Sequence, residues 1–236
     1  MIRTNLSPNY SPKTRLKNSI KFVILHYTGM QSEIEAINRL KNVQSKVSCH
    51  YLINREGLIT QMVKDNKVAW HAGKSKWKNF RNLNNNSIGI ELVNKGHEFG
   101  YQNYSNIQIS SLIKLCKKLK KKYMIKKENF LGHSDIAPLR KSDPGEKFPW
   151  KKLSKYNLGL WCGNSKKKLK LDKKKKIVNL FFKNLYKIGY RYFKINKRFK
   201  KEDKLVVKSF QQRFLPRKIT GKIDLKTYKI SHFLAS

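Results

Sequence analysis

Two apolar runs, each carrying one polar group where a sheet would bury it, constrain this chain more than anything else in it. Phe22-Val-Ile-Leu25 is continuous, as in a strand covered on both faces, and it ends at His26-Tyr27-Thr28-Gly29. Ser87-Ile-Gly-Ile-Glu-Leu-Val93 is a second such run with a carboxylate, Glu91, inside it. An unpaired charge there is expensive, so Glu91 either reaches solvent by alternation or points into a site that raises its pKa. It shares a face with Gly89, which leaves room beside it and favours a pocket. Between and after these runs lie helix signals. Ser32 and Glu35 form a capping box ahead of Ile34, Ile37 and Leu40. Ser105 and Gln108 do the same ahead of Ile109, Leu112, Ile113, Cys116, Leu119 and Tyr123, so Cys116 is expected in the core. Residues 49–53 and 58–63 flank Asn54–Gly57 as a hairpin. The pattern is α/β.

A stiff polar segment, Leu131–Gly145, holds His133, Asp135, Arg140, Lys141 and Asp143 between Pro138 and Pro144. A catalytic zinc site takes three protein ligands from imidazole and carboxylate and keeps a position for water. His26, His133 and Asp143 supply that set, although His26 taken alone reads first as a hydrogen-bonded core histidine at a strand end. Glu91 is then the expected general base and Lys141 the group that stabilises an oxyanion. Asp135 falls to a structural or supporting part. Trp70-His71-Ala72-Gly73 and Trp77 form a loop whose rings could stack on a sugar, or Trp70 could plug the core. His50 reads as a packed strand residue. These residues describe a metal-assisted amide or ester hydrolase.

The formal charge is +40, from 54 Lys+Arg against 14 Asp+Glu. Such an excess attracts polyanions, but the cations are mostly Lys and spread along the chain, unlike the Arg forks of base-reading proteins. Three cysteines are too few for a disulfide framework. No stretch suits a membrane span, and the first residues show no apolar signal region. The compartment, envelope or cytoplasm, stays open. After Trp150 the composition turns Lys-rich, so residues 156–175 read as a basic linker between a domain at 1–155 and another at 176–236. Beyond it, Ile177–Ile188, a stripe of Val206, Val207, Phe210 and Phe214, and a segment after Asp224 predict a small independent three-helix bundle.

His26-Tyr-Thr-Gly, Trp70-His-Ala-Gly, Ser87-Ile-Gly-Ile-Glu-Leu-Val-Asn94 and the Gly132–Gly145 segment together resemble the type 2 N-acetylmuramoyl-L-alanine amidases, over about residues 15–155. The resemblance implies a mixed central sheet flanked by helices and Zn2+ at His26, His133 and Asp143. It also implies Glu91 and Lys141 as the catalytic pair, acting on the amide between muramic (or anhydro-muramic) acid and L-alanine. Trp70, His71 and Ala72 are expected to line the substrate cleft, and Arg140 to hold a stem-peptide carboxylate by a bidentate pair. Some members carry Tyr where this chain has Cys49; with Glu91 present, Cys49 is expected to be structural. Gly189-Tyr190, Val207-x-x-Phe210-Gln211 and Gly221-x-x-Asp224-x-x-Thr227 resemble a three-helix peptidoglycan-binding domain. A monomer is expected, with peptidoglycan or muropeptide as partner. The competing expectations are a non-catalytic wall-binding protein, and less so a nucleic-acid-binding protein driven by charge.

Overall fold

The computed structural model describes residues 2–162, 177–195 and 197–236. Its strands are β1 (Ile2–Thr4), β2 (Tyr10–Ser11), β3 (Phe22–Tyr27), β4 (Tyr51–Ile53), β5 (Ile59–Gln61), β6 (Val68–Ala69), β7 (Lys76–Trp77), β8 (Phe80–Arg81), β9 (Ser87–Leu92) and β10 (Phe130–Gly132). The helices are α1 (Glu33–Lys41), α2 (Asn106–Tyr123), α3 (His133–Ile136), α4 (Trp150–Ser154), α5 (Ile177–Ile188), α6 (Lys201–Phe214) and α7 (Leu225–Ala235). Six strands form one mixed sheet in the order β1-β5-β4-β9-β3-β10. Only the β4–β5 hairpin is antiparallel; the other neighbours are parallel.

The apolar runs become two adjacent interior strands, β9 and β3, and period-two alternation sends their side chains to opposite layers. Val23 and Leu25 join Ile88, Ile90 and Leu92 on one face, beneath Leu112, Cys116 and Leu119 of α2. Phe22 and Ile24 join Leu131 on the other. The expected caps are present: Ser32 Oγ accepts from the Glu35 N–H at 3.2 Å and Ser105 Oγ from the Gln108 N–H at 3.1 Å. Gln108 is buried, and its amide donates to the carbonyls of Ile53 (3.0 Å) and Val93 (3.1 Å), tying α2 to the ends of β4 and β9. One expectation for α1 fails. Its buried line is Ala36 and Leu40 with Ile37 partly buried against Leu40, while Ile34 is exposed.

The second face of the sheet is covered by the C-terminal helices. Phe181, Leu185, Val206, Val207 and Phe210 share one continuous core with Phe22, Ile24, Trp77 and Leu131. The expectation of an independent bundle is therefore corrected: its apolar stripe and the Phe22–Ile24 face are two halves of a single core, each worth about 1.5–3 kcal/mol per large side chain buried. Tyr190 packs edge-on against Trp77, with ring centroids 4.8 Å apart. Gly189, at φ +141°, leaves no space for a Cβ, which would lie 2.4 Å from the Trp77 ring. A buried ion pair joins Arg213 of α6 to Asp135 of α3, and the Tyr190 hydroxyl donates to the same carboxylate. Of the expected linker, Leu158 is fully buried and Trp161 is partly buried against the core, its ring centroid 6.3 Å from that of Phe214; residues 163–176 lie outside the described residues.

Candidate active site

His26 ends β3 beside Glu91 of β9, the two being direct partners in the parallel register. His133 follows β10 on the other side of β3 and opens α3. The segment after α3 turns back so that the Ser134 N–H donates to the Asp143 carbonyl at 2.9 Å. Pro144 then fixes the return, and its carbonyl accepts from the hydroxyls of Tyr101 (2.6 Å) and Tyr104 (2.7 Å). His26 Nδ1, His133 Nδ1 and Asp143 Oδ2 converge, separated by 3.0, 2.9 and 3.1 Å. All three residues are buried.

The protons around this cluster can be assigned from its periphery inward. The Ser87 hydroxyl donates to the Leu83 carbonyl at 2.5 Å, so Ser87 Oγ must accept from His71 Nε2–H, 3.2 Å away. His71 Nδ1 is then a bare acceptor, and His26 Nε2–H donates to it at 3.1 Å. On the other ligand, His133 Nε2 lies 3.2 Å from both the Ala72 carbonyl and Arg140 Nη2; Arg140 already donates to that carbonyl and to Lys74, and a proton placed on Nε2 to meet the carbonyl leaves Nδ1 bare. Both Nδ1 atoms therefore carry lone pairs toward Asp143. Three lone-pair donors that close repel one another unless a cation sits among them. Ligand atoms about 3.3 Å apart are what tetrahedral coordination with bonds of about 2.0–2.1 Å requires. The three residues fit a metal ion.

His71 borders the cleft as expected, but it is largely buried beneath His26 and has a further part that motif reading missed: it orients that ring. Burial pushes its pKa well below the usual imidazole value, with the neighbouring His26 adding to the effect, so it stays a neutral acceptor. Burial likewise lowers His26, to about 4, with His133 contributing. The space that Gly89 leaves is filled by His71: a Cβ on Gly89 would lie 2.3 Å from the ring. Gly89, two residues before Glu91 on one strand face, was the available signal. The expectation for Ala72 is corrected. The residue is fully buried; its N–H donates to Asn84 Oδ1 at 2.6 Å, and its carbonyl accepts from His133 and Arg140, so it presents nothing to a ligand.

A cleft of about 550 Å³ opens over the cluster, lined by Trp70, Glu91, Phe99, Arg140 and Lys141 among others. Glu91 Oε2 is buried with no hydrogen-bond partner among the described residues. Burial raises the Glu91 pKa well above the carboxylate norm, the Asp143 charge adds to this, and the Lys141 ammonium opposes it. Trp70 is half-buried, its indole N–H donating to Ser11 Oγ at 3.1 Å with one flank on the cleft, so both sequence readings hold in part. Arg140 borders the cleft, but its guanidinium already donates to the carbonyls of Ala72 and Lys74. Only Nη1 is free of a partner among the described residues, so the bidentate carboxylate fork is not available as expected. His50 is packed, accepting at Nδ1 from the Gly89 N–H at 3.0 Å. Cys49 is fully buried with Leu52 and Met62, and burial with the Glu91 charge pushes its thiol pKa up, so it supplies no nucleophile.

The profile of the family described as N-acetylmuramoyl-L-alanine amidase matches residues 16–146. The chain belongs to this family. It is 33% identical over 229 residues to the N-acetylmuramoyl-L-alanine amidase AmiD of Escherichia coli, covering 91% of this chain and 82% of that one. It is 42% identical over 110 residues to the 1,6-anhydro-N-acetylmuramyl-L-alanine amidase AmpD of Haemophilus influenzae, covering 46% of this chain and 58% of that one. The structure of E. coli AmiD in complex with anhydro-N-acetylmuramic acid-L-Ala-D-γ-Glu-L-Lys superposes with a TM-score of 0.79 at 30% identity, covering 96% of this chain and 92% of that one. AmpDH3 of Pseudomonas aeruginosa in complex with anhydromuramic pentapeptide gives 0.78 at 28% identity, with 95% and 94% covered. Both superpositions reach past residue 162, so the amidase relatives share the arrangement in which C-terminal helices cover the sheet.

Proposed function

We propose that this amidase hydrolyses the bond between N-acetylmuramic or anhydro-N-acetylmuramic acid and L-alanine of the peptidoglycan stem peptide, in wall turnover or recycling. The observation that carries the reading is the orphaned Glu91 carboxylate at the floor of the cleft, beside three converging lone-pair donors. His26, His133 and Asp143 would hold zinc, the ion suited to two imidazoles and one carboxylate. Zinc bound there supplies Lewis-acid polarisation and lowers the pKa of water to about 7. Glu91 takes the proton of the attacking water and delivers it to the leaving nitrogen, and its raised pKa suits both transfers. Lys141, exposed in the cleft two residues from Asp143, brings a positive charge to the developing oxyanion. Trp70 offers a ring face to the sugar. Every group comes from one chain, which supports action as a monomer.

For the C-terminal helices the wall-binding expectation rests on sequence resemblance, and the residues that carry that resemblance are not free to bind. Tyr190, Val207 and Phe210 are buried; Gln211 is spent on Thr220, Lys222 and Thr227, and Asp224 caps α7. These residues build the unit rather than present a ligand. Mass spectrometry of products from a defined muropeptide tests the reaction: free stem peptide is expected with zinc and none with a chelator. Release of stem peptide by Glu91→Ala at the rate of the unaltered enzyme would sink the mechanism.

A further inference from the structure

A second cavity, about 760 Å³, lies where the β7–β8 hairpin meets the segment between α5 and α6. The hairpin contributes Lys76, Lys78 and Arg81. The segment contributes Arg191, Lys194, Lys197, Arg198 and Lys200. Eight of the sixteen lining residues are cations, against 54 of 236 in the whole chain, so the concentration exceeds the general basic bias twofold. Only two carboxylates line it, and Asp203 is occupied by the Lys200 N–H at 2.8 Å. None of the eight cations forms an ion pair among the described residues. Like charges around a concave, partly apolar surface repel one another and focus a strong positive potential into it, a costly arrangement that an anionic ligand would relieve.

This cavity adjoins the active-site cleft through a thin wall. The Lys74 carbonyl accepts from Arg140 at 3.2 Å on the cleft side and from the Tyr192 hydroxyl at 3.3 Å on the basic side. Tyr192 itself sits at φ +74°, a conformation rare for a side chain of that size, and the Lys76 ammonium lies 5.3 Å from its ring centroid. A ligand long enough to fill the cleft and cross this wall would bring its next repeat into the basic cavity.

We propose that the basic cavity is an accessory site for the carboxylates of a neighbouring stem peptide on the same peptidoglycan polymer. The assignment rests on the proposed activity for the identity of the polymer. A γ-linked Glu in a stem peptide leaves its α-carboxylate free, so each repeat carries a fixed negative charge. The cations are mostly flexible lysines, which bind such groups as point charges without demanding one geometry. Phe80 and Phe193 give the cavity apolar walls for the rest of the peptide or sugar. The cleft therefore selects the bond, and the basic cavity retains the polymer between cuts.

The test compares the unaltered protein with the triple variant Lys194→Glu, Lys197→Glu, Arg198→Glu, all three being exposed and outside the catalytic cleft. The zinc-loaded proteins are assayed for co-sedimentation with purified sacculi and for cleavage of a soluble single-unit muropeptide. Co-sedimentation is expected to fall by roughly tenfold or more in the variant, with cleavage of the single unit unchanged. Stripping phosphate-bearing polymers from the walls should leave the binding of the unaltered protein intact. Equal sedimentation of the two proteins overturns the proposal, and so does loss of wild-type binding on stripping, which would assign the cavity to phosphate. A parallel variant with Gln at the three positions, and the melting temperature of each, separates loss of charge from misfolding. Failure of the unaltered enzyme to cleave the single unit would refute the activity and leave the sedimentation result readable by itself.

Discussion

His71→Ala removes the acceptor of His26 Nε2–H and leaves a buried donor with nothing opposite it. The structure sets the size of the effect. The lost contact is a 3.1 Å hydrogen bond between two buried rings, and an unsatisfied buried donor costs about 1–3 kcal/mol. Loss of a group that orients a metal-binding imidazole typically weakens metal affinity about 10–100-fold, or roughly 1.4–2.8 kcal/mol, the same range by an independent route. Competition for zinc with a chromophoric chelator measures this directly, and thermal melting of the metal-free proteins controls for folding. The expected result is a zinc Kd raised 10–100-fold. A Kd within about twofold of the unaltered protein, in a variant that melts as a folded domain, would refute the assignment. A second readout needs no mutation: the 15N spectrum of the histidines should show His71 as the neutral Nε2–H tautomer. A proton on Nδ1 would break the chain from Leu83 to His26.

Gly89→Ala should act on the same relay from the other side, since the added Cβ would meet the His71 ring at 2.3 Å; zinc binding in the soluble variant is expected to weaken at least as much as in His71→Ala. Glu91→Gln should stabilise the metal-free protein in a pH-dependent way. Because the folded-state pKa of Glu91 is raised, its contribution is most favourable below the ordinary carboxylate pKa and is lost as pH rises through the folded value. The melting temperature of the variant minus that of the unaltered protein should therefore grow between pH 4 and pH 8; a pH-independent difference would contradict burial of the charge. Arg213→Met strands Asp135 without its cation and should cost about 3–5 kcal/mol in chemical denaturation, whereas a loss below about 1 kcal/mol would mark the pair as energetically idle. A fragment ending at residue 162 exposes Phe22, Ile24 and Leu131 and is expected to aggregate by light scattering; a monodisperse, cooperatively melting fragment would show that the first part folds alone.

The sheet and the reacting groups were legible because they rest on local rules. A continuous apolar run fixes an interior strand, a capping box fixes a helix start, and His26 and Glu91 interrupt apolar strands where only a site would tolerate them. Proline spacing pointed to the return of Asp143 toward His133. What stayed hidden depends on contacts between distant segments. His71 sits 16 residues before Ser87, and neither position alone says that one ring fills the gap at Gly89 and meets His26. The tail read as a separate module because its stripes are self-consistent as a bundle. Nothing in those stripes reveals that they share a core with the Phe22–Ile24 face. Asp135 reads from sequence as a supporting residue, but only the position of Arg213, 78 residues away, shows that what it supports is the tail.

That shared core has a consequence during synthesis. The face formed by Phe22 and Ile24 leaves the ribosome about 150–200 residues before the helices that cover it, which at ~5–20 residues per second leaves it bare for roughly 10–40 s. A nascent chain stalled in that interval lacks the Arg213 clamp behind α3, the helix that His133 opens. In such a chain Asp135 is a carboxylate without its cation, so α3 gains that anchor only when the last helices have been made.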